Sequence, residues 1–166
     1  MGRAKAIPAA LVGISIAGVA VAIYLTTVHY ARVPLVCTTS GVVNCERVLS
    51  SSYSTVAGVP VSVGGIIWFV LTGGMGLIAF LRAPEPRLLQ PLQITWSLLG
   101  LATVVYLIGV EVLALGVLCI WCTALHVLIF AALILSVVRT PLLPEETAQT
   151  APPSQDGRYA PSGRRR

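Results

Sequence analysis

Residues 117–138 read VLCIWCTALHVLIFAALILSVV. The stretch carries no charged residue, and about 20 apolar residues are enough for a helix to cross the hydrocarbon core of a bilayer. Cys119 and Cys122 stand near one end of it, and His126 follows Cys122 by four positions. On a helix those spacings put all three on one face. A membrane-spanning helix with a dithiol at its mouth and a polar stripe running inward sets the terms on which the rest of the chain is read.

Three further stretches of similar character precede it, at roughly 7–30, 60–81 and 92–114. Apolar residues make up 56% of the 166-residue chain and charged residues only 10%, against about a quarter charged in a soluble domain. A soluble fold of this length has too little interior to hide so much apolar side chain, so lipid must be the solvent. The alternation expected of barrel strands is absent, and isolated strands in lipid would leave backbone groups unpaired. The expected fold is an all-α membrane protein, a bundle of four transmembrane helices. The third and fourth spans nearly touch, which calls for a tight turn at Leu115-Gly116.

A net charge of +5 does not point to nucleic acid, because the basic residues sit at the chain ends and between apolar runs. They orient the protein in the membrane instead. Arg3, Lys5, Arg82, Arg87 and Arg139 flank one side, while Arg32 and Arg47 flank the other. Arg158, Arg164, Arg165 and Arg166 in the tail add to the richer side. Both termini and the 82–91 loop are therefore expected in the cytoplasm of a cell bounded by this plasma (inner) membrane. The 31–59 loop and the turn after the third span are expected outside. Arg3 and Lys5 ahead of an apolar run, with Ala20-Val21-Ala22 further on, have the look of a signal peptide. The run continues through Ile23-Tyr24-Leu25 and is longer than a signal core, so it is read as a retained span. The chain then divides into a cytoplasmic N-terminus (1–6), a membrane domain (7–138) and a tail (139–166) rich in Pro, Ser and Ala and expected to be disordered.

That orientation places all four cysteines on the side where disulfides persist. Cys119 and Cys122 fall at the start of the fourth helix, where free N–H groups and the positive dipole end favour a thiolate and hence a good attacking or leaving sulfur. Cys37 and Cys45 lie in the external loop. Gly41, midway between them, permits the reversal that lets their sulfurs meet. Asn44 is placed to cap a short helix starting at Cys45, and Ser50-Ser51-Ser52-Tyr53-Ser54 adds hydroxyls to the loop. Two dithiol pairs in a membrane protein suggest electrons moving between thiols and something dissolved in the bilayer.

Blander readings stand beside this one. Four cysteines can hold zinc, but only one pair has the short spacing and the two pairs sit in different environments, so no metal is expected. Two static disulfides remain an alternative. His126 either bonds a neighbouring backbone group or meets a ring bound against Cys122. Glu111, near the external end of the third span, is either an interfacial charge or a group that delivers protons. Trp68, Trp96 and Trp121 read as boundary or packing residues, with Trp121 of further interest for its place between two cysteines.

The string Cys37-x7-Cys45-Glu46-Arg47-Val48-Leu49-Ser50-Ser51, then Gly58-Val59-Pro60-Val61-Ser62 and Cys119-Ile120-Trp121-Cys122-Thr123, resembles the vitamin K epoxide reductase family, most of all its bacterial homologues. The resemblance covers about residues 7–138. It implies a four-helix bundle around a quinone, with the external loop capping the pocket. It implies that Cys37 and Cys45 form a shuttle pair, that Cys45 exchanges with Cys119, and that Cys122 is the sulfur beside the quinone. Ser51 matches a serine that the family places near the catalytic cysteines, and His126 falls where animal members carry a tyrosine near the quinone head. Animal members also carry an asparagine facing the quinone, and residues 62–68 contain none.

The activity implied is that of an integral membrane thiol–quinone oxidoreductase supporting disulfide bond formation. Its substrate would be a menaquinone or vitamin K-type quinone, with no metal and no flavin. Many bacterial members carry a fused thioredoxin-like domain, and the tail here does not resemble one. The expected partner is therefore a separate extracytoplasmic thioredoxin-fold protein. Reduction of vitamin K or its epoxide for its own sake, and a non-catalytic tetraspan protein with structural disulfides, are the alternatives.

Overall fold

Backbone groups in hydrocarbon must find partners within their own segment, and each long apolar stretch does so as a helix. The computed structural model describes residues 3–31, 33, 35–37, 41–82 and 84–139. The long helices are α1 (Arg3–Ala31), α3 (Val61–Leu81), α4 (Leu89–Gly109) and α5 (Ile120–Arg139), with a short α2 (Cys45–Leu49) in the loop after α1. Four helical stretches among the described residues are long and apolar enough to cross a membrane. Ile16, Val70, Leu99, Val105, Phe130 and Val137 are exposed on their outer faces, as lipid-facing side chains must be. The fold is an all-α four-helix membrane bundle. The tail expected to be disordered lies outside the described residues from position 140 onward.

In lipid, helices gain little from burying apolar area against one another, so close approach of small residues drives their packing. The α1–α3 seam shows this in antiparallel register. A Cβ added to Gly76 would stand 3.2 Å from Leu11 Cβ, one on Gly73 would stand 2.9 Å from Ser15 Cβ, and one on Gly65 would stand 3.7 Å from Ala22 Cβ. Between them the fully buried Phe69 ring occupies the notch left by Gly18, where a Cβ would overlap it. Thr26 Oγ1 lies 2.8 Å from Ser62 Oγ and closes the seam at the loop end.

Helix α4 ties to its neighbours by polar groups that satisfy each other inside the bundle. Trp68 Nε1 donates to the Trp96 carbonyl and Trp96 Nε1 donates to the Trp68 carbonyl, each at 3.3 Å. The Trp68 ring lies over Gly100, where a Cβ would come within 2.7 Å of it. Toward α5, Gln90 Nε2 donates to the Ser136 carbonyl at 2.7 Å. At the end away from the 31–59 loop, the buried Arg139 guanidinium pairs with Glu85 and Nη1 donates to Gln93 Oε1 at 3.4 Å.

The spans differ at their loop ends from the sequence reading. The third continues beyond α4 as a π-helical segment, Val110–Leu115, before Gly116 ends it in the left-handed conformation at φ 64°. The fourth starts as a helix at Ile120 and not at 117. Residues 117–119 are withheld from it by a tertiary contact. The Leu118 N–H donates to the Val42 carbonyl at 2.8 Å, and the Asn44 N–H donates to the Leu118 carbonyl at 3.0 Å. These bonds form a parallel bridge between Val43 and Leu118. Cys119 therefore precedes the fourth helix, and Cys122 lies in its first turn.

Candidate active site

The loop reaches the bundle through short local structures. Asn44 Oδ1 accepts the Arg47 N–H at 2.9 Å and caps α2, as a side chain of that type does at a helix start. The Ser51 hydroxyl donates to the Val48 carbonyl at 2.7 Å and closes the other end. A two-residue hairpin follows, β1 (Thr55–Val56) against β2 (Val59–Pro60). Its turn residues Ala57 and Gly58 both have positive φ, the form that matches strand twist.

Cys37 and Cys45 form a disulfide, with their Cα atoms 6.3 Å apart. The parallel bridge then fixes where this pair meets the bundle. Cys45 follows Asn44 and Cys119 follows Leu118, and neighbouring paired strands run about 4.8 Å apart. Cys45 lies two residues past the bridge on one chain and Cys119 one residue past it on the other, and each is 0% exposed. A second tether holds the other arm of the loop. Trp121 Nε1 donates to the Val36 carbonyl at 2.9 Å, and the Val36 N–H donates to the Tyr24 hydroxyl at 3.2 Å. The Tyr24 and Trp121 rings lie 5.0 Å apart. Trp121 thus joins the inner cysteine pair to the residue next to Cys37. Trp121→Phe keeps the ring and loses the N–H. A hydrogen bond of this kind contributes about 1 kcal/mol, so a mild soluble reductant is expected to open the Cys37–Cys45 disulfide about fivefold faster in the variant, as followed by thiol labelling.

Cys119 and Cys122 are free thiols. The Cys122 N–H, in the first turn of α5, donates to Cys119 Sγ at 3.3 Å, so the positive end of the helix faces that sulfur. The Thr123 N–H and hydroxyl both donate to the Cys119 carbonyl, at 2.8 and 3.0 Å. The Cys119 N–H donates to Glu111 Oε2 at 3.3 Å. Below the loop, a cavity of about 290 Å³ opens between the long helices, and Cys122, His126, Glu111, Trp68, Ser51 and His29 are among its lining residues. His126 is buried and among the described residues takes no hydrogen bond from backbone or side chain. Its ring faces the cavity one turn deeper than Cys122. The lining is mostly apolar, which suits an uncharged ligand better than a charged solute. No three His, Cys, Asp or Glu side chains among the described residues come together as a metal site.

The profile of the Vitamin K epoxide reductase family matches residues 9–137. The chain belongs to this family. No curated protein matches it. As a vitamin K epoxide reductase family member it is a membrane oxidoreductase of a quinone-linked kind.

The structure brings Cys122, His126 and Ser51 to one cavity, and the bridge at Val43 and Leu118 ties the segment leading to Cys45 to the segment leading to Cys119. Two participants escaped the sequence reading. Tyr24 looked like one more apolar residue of the first span, and its role depends on Val36, which is distant in sequence. His29 lines the cavity from α1, one turn beyond the buried Leu25. That helical spacing was the signal available, masked by its place near the end of the span, where a polar residue needs no explanation.

Proposed function

We propose that the chain is an integral membrane thiol–quinone oxidoreductase. It reoxidises a separate extracytoplasmic thioredoxin-fold protein and passes two electrons to a membrane quinone of the menaquinone or vitamin K type. The bundle sits in the plasma (inner) membrane with both termini cytoplasmic and the redox loop outside. The reduced partner attacks the Cys37–Cys45 disulfide, and the resulting dithiol reduces the Cys119–Cys122 disulfide by exchange between Cys45 and Cys119. Cys122 then delivers the electron pair to the quinone, the inner disulfide reforms and quinol leaves. Ser51 and His126 line the place of the quinone head, with the His126 ring available to hydrogen-bond a quinone oxygen.

The observation that carries this reading is the main-chain bridge between 42–44 and 118. It ties the loop that carries the outer disulfide to the chain just ahead of the inner dithiol, whose second cysteine lines an apolar cavity. The cavity volume lies near the lower end of the range of about 300–1,000 Å³ usual for small-molecule sites, which suits a ring system with its tail in lipid. For a two-electron couple about 30 mV shifts the exchange tenfold, so a quinone of higher potential draws the whole relay forward.

The test is reconstitution of the full chain in vesicles with a reduced thioredoxin-fold protein outside. One quinol is expected for each partner disulfide formed. A maleimide that cannot cross the bilayer is expected to label the reduced outer pair from the same side. Partner oxidation without quinol, or labelling only from the cytoplasmic side, refutes the reading.

A further inference from the structure

Glu111 is 3% exposed in a bundle whose surroundings are hydrocarbon. A carboxyl there costs a few kcal/mol unless its environment uses it. Its place is unusual in the backbone too, since it lies in the π-helical segment Val110–Leu115, and such departures from α-geometry recur at functional sites. One contact fixes the side chain: Oε2 accepts the Cys119 N–H at 3.3 Å. Glu111 thus holds the backbone of one inner cysteine and lines the same cavity as the other, Cys122, and as His126. Holding the Cys119 backbone requires only an acceptor oxygen, which an uncharged amide also provides. The cavity shared with the Cys122 thiol is what calls for an acid.

The chemistry of the inner pair needs such a group. Oxidising the dithiol breaks two S–H bonds and forms one S–S bond, while the quinone gains two electrons and two O–H bonds. A proton leaving Cys122 into an apolar cavity has nowhere to go without an adjacent base. We propose that Glu111 is a catalytic residue of the quinone step: its carboxylate takes the Cys122 proton as that sulfur gives up its electron pair, then hands the proton to a quinone oxygen. The Cys119 proton makes the second O–H, and Glu111 returns to its starting form. This inference rests on the thiol–quinone reading above and deepens it.

Glu111→Gln isolates the proton role, because the amide oxygen still accepts the Cys119 N–H. The full chain, with both pairs reduced, is mixed with excess menadione, and loss of the inner thiols is followed in a single turnover. Glu111→Gln is expected to slow this step about 100-fold, the scale of a lost general base. Exchange between the outer and inner pairs is expected to stay near the wild-type rate. Glu111→Asp, which keeps an acid on a shorter stem, is expected to recover about tenfold over the Gln variant. If wild type oxidises with menadione and Glu111→Gln does so equally fast, the proton role is overturned while the thiol–quinone reading stands. If wild type itself fails to react, that reading falls and the proton role with it. Should the Gln variant not fold, Glu111→Asp carries the test. A wild-type rate with an unchanged solvent deuterium isotope effect overturns the proposal, and a slower rate with a larger isotope effect supports it.

Discussion

Cys122→Ala is expected to reduce quinone turnover to background, a loss of about 1,000-fold or more, as is usual when a covalent or redox-active group is removed. The expectation follows from placement. Of the four sulfurs, that of Cys122 alone lines the cavity, while Cys119 is fully buried behind it. With alanine at 122, Cys119 has no partner for a second bond. The Cys119 thiolate can then only exchange into the oxidised outer pair, releasing the Cys37 thiol and stopping at a mixed disulfide between Cys45 and Cys119. Quinol formation read by absorbance, with gel mapping of the trapped disulfide, checks both halves. Full activity in the variant rules out Cys122 as the quinone-facing thiol.

Cys45→Ser is expected to stop turnover driven by the protein partner while leaving a bypass open. The variant loses the outer disulfide and the outer sulfur proposed to exchange with Cys119. A folded partner is too large to follow the loop into the bundle, whereas a small dithiol can reach the inner pair. Partner-driven turnover should fall about 100-fold or more, with dithiothreitol-driven turnover within about threefold of wild type. Wild-type behaviour with the protein partner would remove Cys45 from the relay.

How much of this was legible in the chain depends on how local each cause is. The apolar run at 117–138 and the small helix after Asn44 were readable, because span length and a side chain three residues from its N–H partner are local matters. The start of α5 at Ile120 was not, because residues 117–119 are held by bonds to 42–44, far away in sequence. The α1–α3 seam was equally hidden. Gly18 and Phe69 each look ordinary until the register of two antiparallel helices is known. Glu111 stood out as a misplaced charge, yet its partner, the Cys119 N–H, follows it across a turn whose geometry depends on a π-helical segment. His126 was legible as a polar residue on the thiol face, and the cavity it meets was not.

The contact at 42–44 and 118 is made wholly by main-chain amides. The side chains at Val42, Val43 and Leu118 can consequently be exchanged without moving the loop away from the start of the fourth helix. Proline is the exception at 44 and 118, where it would delete a donor. That spacing is written into the peptide chain itself, so the outer surface can vary in sequence while the loop keeps its hold on the bundle.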